Sequence, residues 1–201
     1  MWLFDFLFPP RVDERLVRDV SRDAFCTLLY PCAVQKTDPE TTALLPFKDE
    51  RVRATIHEAK YHGNEKAFAL LSAILVEYLR EADEMLRDPA LVPVPLGHLR
   101  LRERGYNQAE EVARIVAHEL SLPIQTDSLV RTRDTVSQVS LSREERVRNM
   151  EGAFRAVRPV DPARTYILVD DVTTTGATLQ AAIAALRAAG AAHIVPIALA
   201  H

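Results

Sequence analysis

Cysteine is nearly absent from the 201-residue sequence, which holds only Cys26 and Cys32. Two are too few for a disulfide framework, and neither belongs to a CxxC pair of the kind that makes a redox motif or half a zinc site. A reducing, cytoplasmic compartment fits that usage. Glycine is scarce too. The six present form neither a GxGxxG fingerprint nor a P-loop, so the commonest dinucleotide and nucleoside-triphosphate signatures are missing. No HExxH occurs, and the six histidines show no metal-ligand spacing. Charge of one sign is also lacking: a net charge of -3 and a pI near 6.1 give no global cationic field. Nucleic acid would have to meet a local patch rather than the whole surface.

Long hydrophobic runs are missing as well. The opening MWLFDFLFPP is apolar, but it has no basic flank, is interrupted by Asp5 and stops at Pro9 and Pro10. That is too short for a signal peptide or a membrane span. The segment reads as one that docks on the protein's own core or on a partner, and no membrane contact is expected.

What is present is an ordinary globular balance, 48% hydrophobic and 26% charged, in a chain long enough for one α/β domain with a modest extension. Leu16, Val17, Val20, Ala24 and Leu28 recur at helical spacing and predict a helix ending near Tyr30 and Pro31. Gln35 to Pro46 lacks periodicity and reads as a loop. Leu70, Leu71, Ile74, Leu75, Tyr78 and Leu79 form one stripe of a helix over 65–80. LVPVPL then reads as a buried strand, GHLRLRERGYNQ as a polar loop, and Gln108 to Leu120 as a helix with Glu110 and Glu111 in its first turn. The rhythm repeats at Tyr166 to Val169, a β-branched strand, followed by DDVTTTGAT, an alanine-rich helix from Ala177 to Ala189, and a strand from His193 to Leu199. The expected division is an N-terminal helical extension over 1–44 and an α/β domain over 45–201.

DDVTTTGAT carries the chemistry. A strand delivers two carboxylates to its carboxyl edge, and a hydroxyl-rich turn with Gly176 then opens a helix. Backbone N–H groups in such a turn point at an anion, the helix dipole favours negative charge, and glycine allows close approach or φ > 0. The acids would repel a phosphate unless they face ribose hydroxyls or a hydrated Mg²⁺. The plainer alternative is an Asp-Asp pair capping the following helix.

The whole segment from Tyr166 to Thr178 resembles the phosphoribosyl pyrophosphate (PRPP) motif of type I phosphoribosyltransferases. The resemblance implies that fold, a mainly parallel sheet flanked by helices. It also implies that Asp170 and Asp171 meet the ribose hydroxyls while Val172, Thr173, Thr174, Thr175, Gly176, Ala177 and Thr178 cradle the 5′-phosphate. Three further segments, IHEAKYHGNEKAF, VPVPLGHLRLRERGYNQAEEVA and LVRTRDTVSQVSLSREERVRNMEGAF, resemble in order the ComF group, phosphoribosyltransferase-like proteins linked to bacterial competence.

That likeness makes Lys60, Tyr61 and Gly63 candidates. It also places Arg100, Arg102 and Arg104 near a leaving pyrophosphate, with Gly105 easing the backbone and His98 in the same loop. Asp170, Asp171, Arg100 and Arg104 are the expected catalytic set. Arg131, Gln138, Arg146 and Asn149 are candidates for a loop over the reacting centre, although SLSREERVRN reads equally well as a capped surface helix. ComF-like proteins commonly begin with a cysteine-rich zinc module. Here RVDE follows FDFLFPP where a CxxC pair would stand, so no zinc is expected.

The resemblance implies phosphoribosyl transfer from PRPP to a nitrogenous acceptor, with Mg²⁺ held mainly through the substrate and with Asp170 and Asp171 as candidate ligands. It also allows a homodimer. The rival is a noncatalytic competence factor that senses a nucleotide and binds single-stranded DNA or uptake and recombination proteins.

Overall fold

The structure, a computed structural model, describes residues 11–82, 86–133, 150 and 152–201. Its main sheet has five strands in the order β1 (Cys32–Val34), β2 (Thr41–Leu45), β7 (His193–Ala200), β6 (Thr165–Val172) and β3 (Ala90–Pro93). Only β1 runs antiparallel to its neighbour. The central strands are near-continuous apolar runs because both faces of the sheet are covered. On one face, Ile167 and Val169 of β6 join a core with α1 (Val12–Asp19), α2 (Arg22–Cys26), α3 (Glu50–Tyr61), α4 (Glu65–Ala82) and α6 (Gln108–Leu120). On the other, Tyr166 and Leu168 pack with α7 (Ala177–Ala188) and a small antiparallel ribbon, β4 (Leu129–Arg131) with β5 (Phe154–Ala156). No described helix is long and apolar enough to cross a membrane.

Three expectations need correction. The single N-terminal helix is two, because the chain turns extended at Val20 and Ser21 caps α2 by accepting the Ala24 N–H at 3.2 Å. The stretch read as a loop over 35–46 contains β2, whose Ala43, Leu44 and Leu45 are fully buried. Five residues between prolines are too few to show a period, and their strand character comes from pairing with β7. The boundary expected at 44 therefore falls inside a core strand, and the first 44 residues contribute β1 and most of β2 to the sheet as well as helices. Finally, the polar loop after β3 carries α5 (His98–Arg104), closed by Gly105 at φ 81°.

Candidate active site

Side chains alternate along a strand, so the two acids at the end of β6 leave on opposite faces. Asp171 follows Ile167 and Val169 towards the α3 and α6 side and is buried. Lys60 Nζ, from the last turn of α3, lies 3.1 Å from its Oδ1. The Gln108 amide, from the first turn of α6, donates to its Oδ2, and the Val172 N–H donates to Oδ1. Both oxygens of Asp171 are thus engaged before any ligand arrives. Asp170 follows Tyr166 and Leu168 to the other face. Among the described residues its Oδ1 accepts only the Asp171 N–H, at 2.9 Å, and Oδ2 has no partner. Burial, then the neighbouring Asp171 charge, pushes the Asp170 carboxyl up to about 7, against the opposing pull of Lys60 and Arg131.

The two acids line one cavity of about 180 Å³ at the carboxyl ends of β3 and β6, the edge where open α/β sheets take ligands. Lys60, Arg100, Arg104 and Arg131 line it with them, as do Val172 and Thr178. Arg104 is oriented twice over. It donates to Gln108 Oε1 at 2.8 Å and lies 5.0 Å over the Tyr61 ring. Arg131 stacks 5.5 Å over Phe154. Four cations around Asp170, whose Oδ2 has no partner among the described residues, make a pocket suited to a multiply charged anion that also carries hydroxyls.

The turn after β6 is anchored from below. The Thr173 N–H donates to Ala200 O at 3.0 Å, and His201 Nδ1 lies 2.8 Å from Thr173 O. Beyond it, among the described residues, the N–H groups of Thr174, Thr175 and Gly176 have no hydrogen-bonding partner. These three consecutive donors lead into the N-terminus of a 12-residue helix, an arrangement that suits an anion. Gly176, the N-cap of α7, sits at φ 73°. A Cβ there would meet Thr37 Cγ2 at 2.9 Å and Lys36 Cβ at 3.1 Å. Its glycine therefore makes room for the protein's own β1–β2 connection as well as the left-handed backbone, a reason the sequence did not disclose.

Not every candidate converges. Arg102 is exposed and off the cavity, because two positions along a helix is more than half a turn from Arg100 and Arg104. His98 is exposed on the same helix and off the cavity too. Gly63, at φ 58°, donates its N–H to the Tyr106 hydroxyl at 2.7 Å, which in turn donates to Ala59 O at 2.8 Å. That ties down the end of α3 and so holds Lys60 in place. Thr175 and Ala177 face a neighbouring groove with Lys36. Gln138, Arg146 and Asn149 lie outside the described residues.

Two functional residues escaped the sequence reading. Asn107 caps α6 through the Ala109 N–H and donates to Val94 O at 3.0 Å, fixing the loop after β3. Gln108 joins Arg104 to Asp171. An Asn directly before an amphipathic run was a legible cap signal, whereas the Gln108 contact spans 63 positions.

His57, Glu58 and His62 come within 4.8 Å of one another, a grouping their spacing did not suggest. Glu58 is already spoken for: burial pushes its carboxyl up, but hydrogen bonds from Arg11 and Asn64 outweigh this and hold it below the ordinary range. Cys26 and Cys32 are free thiols.

Comparisons with known proteins show the family. Residues 102–201 match the phosphoribosyl transferase domain family. Competence protein F of Haemophilus influenzae is 34% identical over 168 residues, covering 81% of this chain and 73% of that protein. DNA utilization protein YhgH of Escherichia coli K12 is 34% identical over 69% of this chain and 62% of its own length. Competence protein ComFC of Streptococcus pneumoniae is 28% identical over 62% of this chain and 54% of its own. The chain belongs to the ComF family, with a type I phosphoribosyltransferase fold.

Proposed function

We propose that the chain binds PRPP at the carboxyl edge of β3 and β6 and transfers its phosphoribosyl group to a nitrogenous acceptor, releasing pyrophosphate. The observation that carries this reading is one cavity in which Asp170, whose Oδ2 has no partner among the described residues, meets four cationic side chains, and which is followed along the chain by three N–H donors unpaired among the described residues. These donors suit the 5′-phosphate, and Asp170 suits the ribose 2′ and 3′ hydroxyls. Lys60, Arg100, Arg104 and Arg131 suit the pyrophosphate. Asp171 acts through Lys60 and Gln108, which it holds in place.

In the reaction the C1′–oxygen bond to pyrophosphate breaks and a C1′–nitrogen bond forms. The sugar becomes oxocarbenium-like while the leaving oxygen gains charge, so cations fixed in advance at the leaving group lower the barrier. The donor set suits Mg²⁺ that arrives with its substrate, since that ion takes one or two carboxylates plus substrate phosphates and, among the described residues, Asp170 Oδ2 lining the cavity has no partner. Bound there, the ion would neutralise charge building on the pyrophosphate. Across Lys60 lies a second cleft of about 470 Å³ with Phe47, His57 and Tyr61 in its walls, whose aromatic faces suit a planar acceptor.

A second reading, a nucleotide-sensing factor in DNA uptake or use, has support in the names of the relatives. One experiment separates the two. Purified chain, PRPP and Mg²⁺ are incubated with ammonia and a panel of nucleobases, and pyrophosphate is measured. Acceptor-dependent release is the expected result. PRPP binding without release, together with salt-sensitive binding of single-stranded DNA, would favour the second reading.

A further inference from the structure

We infer that Lys36, in the connection between β1 and β2, is a positioning residue for the phosphate-binding turn. The inference rests on the reading of that turn as the 5′-phosphate cradle. Lys36 lies 138 positions from the turn and outside the residues that match the phosphoribosyl transferase domain family. Its Nζ donates to Thr174 O at 2.6 Å. In a trans peptide the carbonyl and the next N–H point in opposite directions. Anchoring Thr174 O to the ammonium on one side therefore aims the Thr175 N–H to the other, and that N–H is one of the three unpaired donors. A cation on the carbonyl also polarises the peptide and strengthens its N–H as a donor.

The rest of the β1–β2 connection adds contacts around this anchor. Thr37 and the Lys36 backbone fill the space that a Gly176 side chain would need. The Thr37 hydroxyl is 2.7 Å from that of Thr41 at the start of β2. The Asp38 N–H donates to Gln180 Oε1 at 2.8 Å, and Arg187 Nη1 donates to Asp38 Oδ2 at 2.9 Å, so the connection is strapped along α7 itself. A turn held on its outer side by a strand connection offers its donors to an anion without reorganising on binding, which is the condition under which such donors are worth most.

The test uses the full chain with Lys36→Met, which keeps the aliphatic stem, and Lys36→Arg, which keeps the charge. Ribose 5-phosphate and inorganic pyrophosphate are titrated separately by calorimetry. In parallel, ¹⁵N amide spectra of the ligand-free proteins are compared at Thr174, Thr175 and Gly176. Lys36→Met should weaken ribose 5-phosphate about tenfold, the range of one charge-assisted contact, and leave pyrophosphate within about twofold. It should also shift the Thr175 amide in the free protein, and Lys36→Arg should recover most of the affinity. Unchanged ribose 5-phosphate binding in Lys36→Met would overturn the inference. So would a loss of affinity with the free-state amides unmoved, since Lys36 would then touch the phosphate directly. Equal loss of both probes would show a general structural role instead. If the parent binds ribose 5-phosphate nowhere near the turn, the functional reading fails, and the inference with it.

Discussion

Replacing Asp170 by Asn should weaken PRPP binding roughly ten- to hundredfold, the cost of removing a charged acceptor from hydroxyl donors, while making the free protein more stable at pH 8. The two effects oppose each other because of where the carboxylate sits. Burial and Asp171 raise its folded pKa to about 7, from 3.8 for an unperturbed group. A raised pKa means that the folded state holds a proton the unfolded state has already released. The stabilising contribution is therefore complete below about pH 4 and lost as pH rises through about 7. Asn carries no charge to desolvate and escapes that loss. Binding runs the other way. The ionised carboxylate is the form that accepts ribose hydroxyls or meets a magnesium ion, so PRPP affinity should rise with pH up to about 7 and level off above it. Calorimetry in buffers of different ionisation enthalpy should record proton release on binding at pH 6, and thermal melts at pH 5 and pH 8 should show Asp170→Asn gaining on the parent at both, by more at the higher pH. A variant that binds like the parent would remove Asp170 from the site.

Gly176→Val should lower affinity and stability together, a pattern unlike that of Asp170→Asn. Valine at φ 73° is strained by roughly 1 to 3 kcal/mol before any contact is counted. Its Cβ would also press on Thr37 Cγ2 at 2.9 Å and on the Lys36 backbone oxygen at 3.2 Å. Relief requires the β1–β2 connection to move off the turn, which releases Thr174 O and scatters the three donors. A preorganised donor to an anion is worth about 2.7 to 4 kcal/mol, so PRPP affinity should fall at least about a hundredfold. The melting temperature should fall by about 5 °C or more, since a loss of about 2 kcal/mol in a chain of this size moves it that far. Gly176→Ala should share both defects in milder form, because its Cβ meets the same atoms. Calorimetry and melting of both variants check this. If either variant melted like the parent but lost ligand, the glycine would be there to let the phosphate approach, as the sequence alone suggested, and the contact with Thr37 would be incidental.

The parts of this site that were legible in the sequence are those built from contiguous residues. β6 and the turn after it could be read because a β-branched run, two acids and a Thr-rich turn with Gly stand together, and the helix that follows shows its own period. α6 was legible to both ends, Gln108 and Leu120, because Glu110 and Glu111 mark its start and its apolar face is regular. The arginines of α5 were recognisable as a cluster, but only the helix geometry separates Arg100 and Arg104 from Arg102. What could not be read depends on the fold bringing distant residues together. The engagement of Asp171 by Lys60 and Gln108 distinguishes two acids that look alike in the sequence. The Lys36 anchor belongs to a stretch with no period of its own, whose strand β2 exists because β7 lies beside it.

In the proposed reading, the turn after β6 and the cavity beside it form one site that holds both ends of PRPP. A crystal structure of the chain with PRPP and Mg²⁺ tests it most directly. The expected result is the 5′-phosphate on the N–H groups of Thr174, Thr175 and Gly176, the ribose hydroxyls on Asp170, and the pyrophosphate among Lys60, Arg100, Arg104 and Arg131. A ligand bound with its phosphates away from that turn, or with its ribose on Asp171 in place of Lys60 and Gln108, would contradict it.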